Sequence, residues 1–63
     1  MQRAVIYPKD GQRITGKSEK YSRRLLKKIK EANGKAEDQF ISIEEFADYT
    51  GLSIELIKEH IID

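Results

Sequence analysis

The pattern Thr-Gly-x-Ser occurs twice, at residues 15–18 and 50–53, an offset of 35 residues. It dictates a local shape. Gly16 and Gly51 suit the left-handed position that ends a helix, because no side chain clashes there. Two residues later, Ser18 and Ser53 can each cap a new helix, the hydroxyl taking a free backbone N–H. Each unit therefore predicts a tight corner between two helices. The offset extends further. It lays Val5-Ile6 on Phe40-Ile41 and Leu26 on Ile61. Each half then reads as an apolar extended lead-in, a short helix, a corner and a second helix.

The first corner hides inside a motif with a different meaning. GQRITGKS (11–18) matches G-x-x-x-x-G-K-[ST], the phosphate-cradling loop of nucleotide-binding enzymes. That loop needs a parallel sheet, and each strand–helix–strand unit of such a sheet takes about 30 or more residues. A chain of 63 residues has no room for a second parallel strand. Nor does it place an isolated Asp after a later apolar run, since FISI (40–43) leads into Glu44-Glu45. The expectation is a corner, with no nucleotide cofactor and no enzyme activity. The chain has no cysteine and one histidine, His60, which removes thiolate metal sites and multi-histidine chemistry. It shows no signal peptide and no long apolar run, so a cytoplasmic protein with no membrane partner is expected.

Four helices are expected in a single all-α domain over 1–63. The first runs from Pro8 to about Ile14 and is weakened by Gly11. The second runs from Glu19 to about Ala32, with Tyr21, Ser22, Leu25, Leu26, Ile29 and Ala32 on its core stripe. Ser42-Ile43-Glu44-Glu45 is a capping box, and Ile41 can staple against Phe46, which starts a third helix over about 43–49. Phe46 and Ala47 point inward there, with Tyr49 beside them. The fourth runs from Ile54 to about Ile62, with Ile54, Ile57 and Ile61 as its stripe and Leu56 widening it. Residues 33–39, NGKAEDQ, read as a polar linker. The β-branched segments 4–7 and 39–42 are able to pair as a minimal two-stranded sheet.

The net charge of +1 conceals a division. Residues 1–35 carry eleven Lys and Arg against three acids, a net of +8; residues 36–63 carry one Lys against eight acids, a net of −7. The second helix holds much of the positive charge. Lys20, Arg23, Arg24, Lys27 and Lys30 share the face opposite its core stripe, with Glu31 as the main offset. Like charges at this spacing repel, and a bound polyanion relieves them.

Two resemblances follow from these residues. EEFADYTGLSIELIKEHI (44–61) resembles the helix–turn–helix of bacterial regulators and excisionase-type proteins. Ala47, Gly51, Leu52 and Ile57 occupy the small, glycine and apolar positions of that pattern, and His60 stands where an apolar residue is usual. ITGKSEKYSRRLLKKIKEANGK followed by FISIEEFADYTGL is similar to a group of short bacterial helix–turn–helix-like proteins, over roughly residues 5–62. These resemblances imply a helix–turn–helix-like fold, DNA binding as a regulator or mobile-element accessory factor, and no catalytic residues; with the repeat, the expected architecture is two tandem helix–turn–helix-like hairpins.

The hairpin that best fits the pattern is the acidic one. The first hairpin departs from it, with Gln12 for the small inward residue and Lys17 for the apolar one, yet it carries the cations. Charge governs affinity for phosphates, so the expected DNA-contacting helix is 18–32. Arg23 and Arg24 are the candidates for base contacts. Lys17, Lys20, Lys27, Lys28 and Lys30 are the candidates for phosphates, with Ser18 and the helix start assisting. The expected partner is double-stranded DNA. The alternative is a protein-interaction module whose basic helix meets an acidic partner, or the acidic half of a second copy in a homodimer. RNA is less expected, because no aromatic stacking pair is on display beyond a contribution from Tyr21.

Overall fold

In a computed structural model, which describes residues 4–61, the chain runs β1 (Val5–Ile6), α1 (Pro8–Thr15), α2 (Glu19–Ala32), β2 (Ile41–Ser42), α3 (Ile43–Thr50) and α4 (Ile54–Glu59). The fold is mostly α, and the same strand–helix–helix unit occurs twice. The two units meet at the strands, which pair antiparallel with Val5 opposite Ser42 and Ile6 opposite Ile41. Pairing of 4–7 with 39–42 is thus realised over two residues of each segment.

The 35-residue offset relates Ile6 to Ile41, and these two residues face each other. The ladder is therefore centred on a local two-fold relation between the units. One bond breaks it: the Ile43 N–H donates to the Ala4 carbonyl at 3.1 Å. The equivalent donor in the first unit falls on Pro8, which has no N–H.

The corners are built alike, bond for bond. Gly16 has φ 71° and Gly51 φ 79°, both left-handed. Their N–H groups donate back to the carbonyls of Gln12 and Ala47, each at 2.8 Å. The Thr15 and Thr50 hydroxyls donate to the carbonyls of Gly11 and Phe46, at 2.7 and 2.8 Å. The Ser18 and Ser53 hydroxyls then accept from the N–H of Tyr21 and Leu56, each at 3.1 Å.

Both lead-ins also carry a carboxylate at the third helical position. In α3 it belongs to the expected capping box: the Ser42 N–H donates to Glu45 at 2.8 Å, and the Glu45 N–H to the Ser42 hydroxyl at 3.0 Å. In α1 it is Asp10, fully buried, which accepts from the Tyr7 N–H at 2.8 Å and from Arg13 at 3.3 Å.

The core joins both units. Ile6, Leu26 and Ile29 come from the first; Ile41, Ile43, Phe46, Ala47, Ile57 and Ile61 come from the second. Ile14, Leu25, Leu52 and Ile54 pack on this cluster from its margins. Gly11 is more than a weak point in α1. It is buried against Ser22, and a β-carbon built there would overlap the Ser22 hydroxyl. That hydroxyl donates to the Pro8 carbonyl at 2.7 Å.

Several expected boundaries and orientations are corrected. Tyr21, Tyr49 and Leu56 are 43%, 46% and 38% exposed, and Ala32 is exposed. The buried residues of α2 are Ser22, Leu26 and Ile29, a narrower stripe, because the short α1 and α3 cover only part of a 14-residue helix. Helix α4 ends at Glu59, not near Ile62. The His60 and Ile61 N–H groups bond to the carbonyls three residues back, at 3.0 and 3.2 Å, and this tighter turn brings Ile61 into the core. Ile62 and residues 1–3 lie outside the described residues.

The segment 33–39 is more than a linker. The Lys35 N–H returns to the Lys30 carbonyl at 2.9 Å, with Gly34 left-handed at φ 64°. The Lys35 ammonium then reaches the Phe40 carbonyl and the Glu45 carboxylate, each at 2.7 Å. This half-buried pair ties the end of the basic half to the start of the acidic half.

Candidate nucleic-acid interface

The residues of GQRITGKS do not form a loop. Gly11 to Thr15 lie in α1, and only Gly16, Lys17 and Ser18 stand between α1 and α2. Gly16 closes one helix and Ser18 opens the next, so both motif residues are engaged in the corner. The Lys17 ammonium lies 5.8 Å from the centroid of the Tyr21 ring.

Helix α2 sets the remaining candidates. Its buried stripe turns inward and its charged residues turn outward. Lys17, Ser18, Lys20, Arg23, Arg24, Lys27 and Lys28 are exposed, while Lys30 is half-buried. The candidates differ in their partners. Arg23 is bound to Glu19 one turn earlier: Nε donates at 3.1 Å and Nη2 at 2.6 Å, both to Oε2. Lys30 donates to the Glu37 carbonyl at 2.7 Å. Lys20, Arg24, Lys27 and Lys28 have no hydrogen-bond or ion-pair partner among the described residues. At 100° per residue Lys20, Arg24 and Lys27 form the outermost stripe, Lys28 lies on the flank towards Tyr21 and Leu25, and Arg23 and Lys30 lie on the other.

The start of α2 adds donors. The Tyr21 N–H is taken by the Ser18 hydroxyl and the Ser22 N–H by the Ser18 carbonyl, at 3.1 and 3.0 Å. The Glu19 and Lys20 N–H groups keep no protein acceptor among the described residues, as expected for the first turn of a helix.

The acidic half is arranged differently. Glu44, Asp48, Glu55 and Glu59 are exposed on α3 and α4, and Glu45 is half-buried. The bond from Lys35 is the main reason that the Glu45 carboxyl lies below its usual value; the Ser42 N–H adds to the effect, and partial burial opposes it.

Sequence reasoning missed one feature beside this face. Tyr7 and Phe40 form an edge-to-face pair with ring centroids 6.0 Å apart and planes at 64°. An aromatic pair is therefore on display, contrary to the expectation. Strand alternation carried the signal: with Ile6 and Ile41 inward, their neighbours Tyr7 and Phe40 must turn outward.

Among the described residues no group of three or more His, Asp or Glu side chains could hold a metal ion, and no helix is long and apolar enough to cross a membrane. No family model, curated protein or solved structure matches the chain.

Proposed function

We propose that the protein binds double-stranded DNA through the outer face of α2, as a small accessory regulator. One observation carries this reading. Lys20, Arg24, Lys27 and Lys28 stand exposed on one helix without ion-pair partners among the described residues, although the same chain carries an acidic half. Such a face concentrates positive potential, and condensed counterions released from DNA drive its binding.

The dimensions suit the role. Fourteen residues at about 1.5 Å each make a helix roughly 21 Å long, enough to cross a major groove about 12 Å wide. Lys20, Lys27, Lys28 and Lys17 take phosphates, and the free N–H groups at the start of α2 take another. Arg24 is the side chain best placed for a base edge, since its guanidinium is free. Arg23 joins it by leaving Glu19, an exposed pair whose loss costs little. Ser18 and Lys30 complete the surface as donors at its two ends.

The test is binding to random duplex at two salt concentrations. The parent should bind more weakly at the higher salt, with log affinity falling by about 0.9 per phosphate contact for each unit of log salt. The variant with Lys20, Arg24, Lys27 and Lys28 all changed to Ala should remain folded and lose binding. A folded variant that binds as well as the parent refutes the reading, and the basic face then belongs to an acidic protein partner or a second copy.

A further inference from the structure

Five aromatic side chains occur in the chain, and only Phe46 is buried. Tyr7, Tyr21, Phe40 and Tyr49 are exposed, and Phe40, at 60%, is the most exposed large hydrophobic residue among the described residues. A phenylalanine so exposed adds little to folding, since stabilisation follows the apolar area removed from water. Its position is informative. The Phe40 and Tyr7 rings line a groove together with the edges of the core residues Ile6, Leu26 and Ile41. Lys27 lines the same groove, as do Arg23 and Lys30. Its volume of about 320 Å³ is at the low end of the roughly 300–1,000 Å³ of small-ligand sites.

We infer that this groove receives one unpaired nucleobase of the bound DNA, stacked on Phe40 with its phosphate on Lys27. The inference rests on the DNA-binding reading and deepens it. A base inside a duplex is stacked on both faces and cannot enter a groove at the side of α2. An unpaired base can, and it brings the two properties that the groove selects: a flat apolar face and an anion attached to it. Exposed aromatics beside cations are the platform that single-stranded nucleic acids use, and stacking tolerates every base. Glu37 also lines the groove, its carbonyl held by the Lys30 ammonium. The protein thus prefers DNA with a bulge, gap or frayed end over intact duplex.

The test compares a 20-base-pair duplex with the same duplex carrying one unpaired thymine, at fixed salt. The parent should bind the bulged duplex about tenfold more tightly. Phe40→Ala should bind both duplexes at the parent's affinity for the intact one, and Phe40→Tyr should keep the preference. A 2-aminopurine placed at the unpaired position should change its fluorescence on binding the parent and stay unchanged with Phe40→Ala. Equal affinity of the parent for the two duplexes, or a preference that survives Phe40→Ala, overturns the inference. The broader reading stands apart from that result: it survives if both duplexes bind and the quadruple Ala variant of α2 loses both, and it fails with the inference if neither duplex binds.

Discussion

In the first hairpin the buried residues at the helix crossing are Asp10, Gly11 and Ser22; 35 residues later the same positions hold Glu45, Phe46 and Ile57. The corners between the helices match to within about 0.1 Å in each equivalent hydrogen bond, yet the material between the helices is opposite in kind. The first hairpin closes by close approach, with Gly11 against Ser22 and the Ser22 hydroxyl on Pro8. The second closes by filling space, with Phe46 and Ile57 fully buried. Corner chemistry therefore sets the topology, and interior volume can vary beneath it. The two hairpins also divide their labour. The second, with its lead-in strand, supplies six of the nine residues of the core cluster, and the first supplies the long helix and its charge.

The contrast breaks most visibly when volume is changed in opposite directions. Phe46→Ala leaves a cavity in the second hairpin and should cost about 3–5 kcal/mol, enough to unfold so small a domain. Thermal or urea denaturation checks it, and a stable variant would mean that the core has a different centre. Next in size is the reverse change. Gly11→Ala adds volume to the first hairpin and should cost about 1–3 kcal/mol. Combining it with Ser22→Ala should recover part of that loss despite the unpaired Pro8 carbonyl, and a double variant no better than the single one places the strain elsewhere.

The corners should respond alike. Beyond the adjoining residues, no atom lies within 4 Å of a β-carbon added at Gly16 or Gly51, so only the left-handed backbone resists a side chain. Gly16→Ala and Gly51→Ala should each cost about 1 kcal/mol, and denaturant midpoints should shift equally. Unequal shifts would show that one corner is braced by more than its own bonds.

The smallest effect concerns the carboxylates of the two lead-ins. Glu45 is held below its ordinary value of 4.5 chiefly by Lys35. A depressed carboxyl binds fewer protons folded than unfolded, so its contribution is fully present above about pH 4.5 and is lost as pH falls through the lower folded value. Lys35→Met should flatten this acid limb, read as the change in melting temperature between pH 6 and pH 3. Asp10 of the first lead-in is bridged by Arg13 of its own helix at 3.3 Å.

What the sequence made legible was local. The corners, the Ser42 cap and the outward face of α2 depend on residues within one or two turns of one another. The close approach of Gly11 to Ser22 joins positions eleven apart on separate helices, and Gly11 alone reads only as a helix weakener. Helical periodicity also assumed that α2 is covered along its whole length. Tyr21 and Ala32 lie on the flank of the stripe formed by Ser22, Leu26 and Ile29, and at that margin they stay exposed. The site followed the same rule. Its exposed cations were readable from spacing, whereas the groove needs Tyr7 and Phe40, 33 positions apart, and becomes visible only once Ile6 meets Ile41.

That pair also governs the order of events when the chain folds. Each helix–corner–helix unit closes over short stretches, which form fast, while the ladder must bring together residues 35 apart and bear the entropy of that closure. The strands should therefore join after the hairpins, in a step beyond the transition state. Ile6→Val should accelerate unfolding and leave the refolding rate nearly unchanged in stopped-flow measurements. The groove between Tyr7, Phe40 and α2 would then be the last part of the molecule to assemble and the first to open.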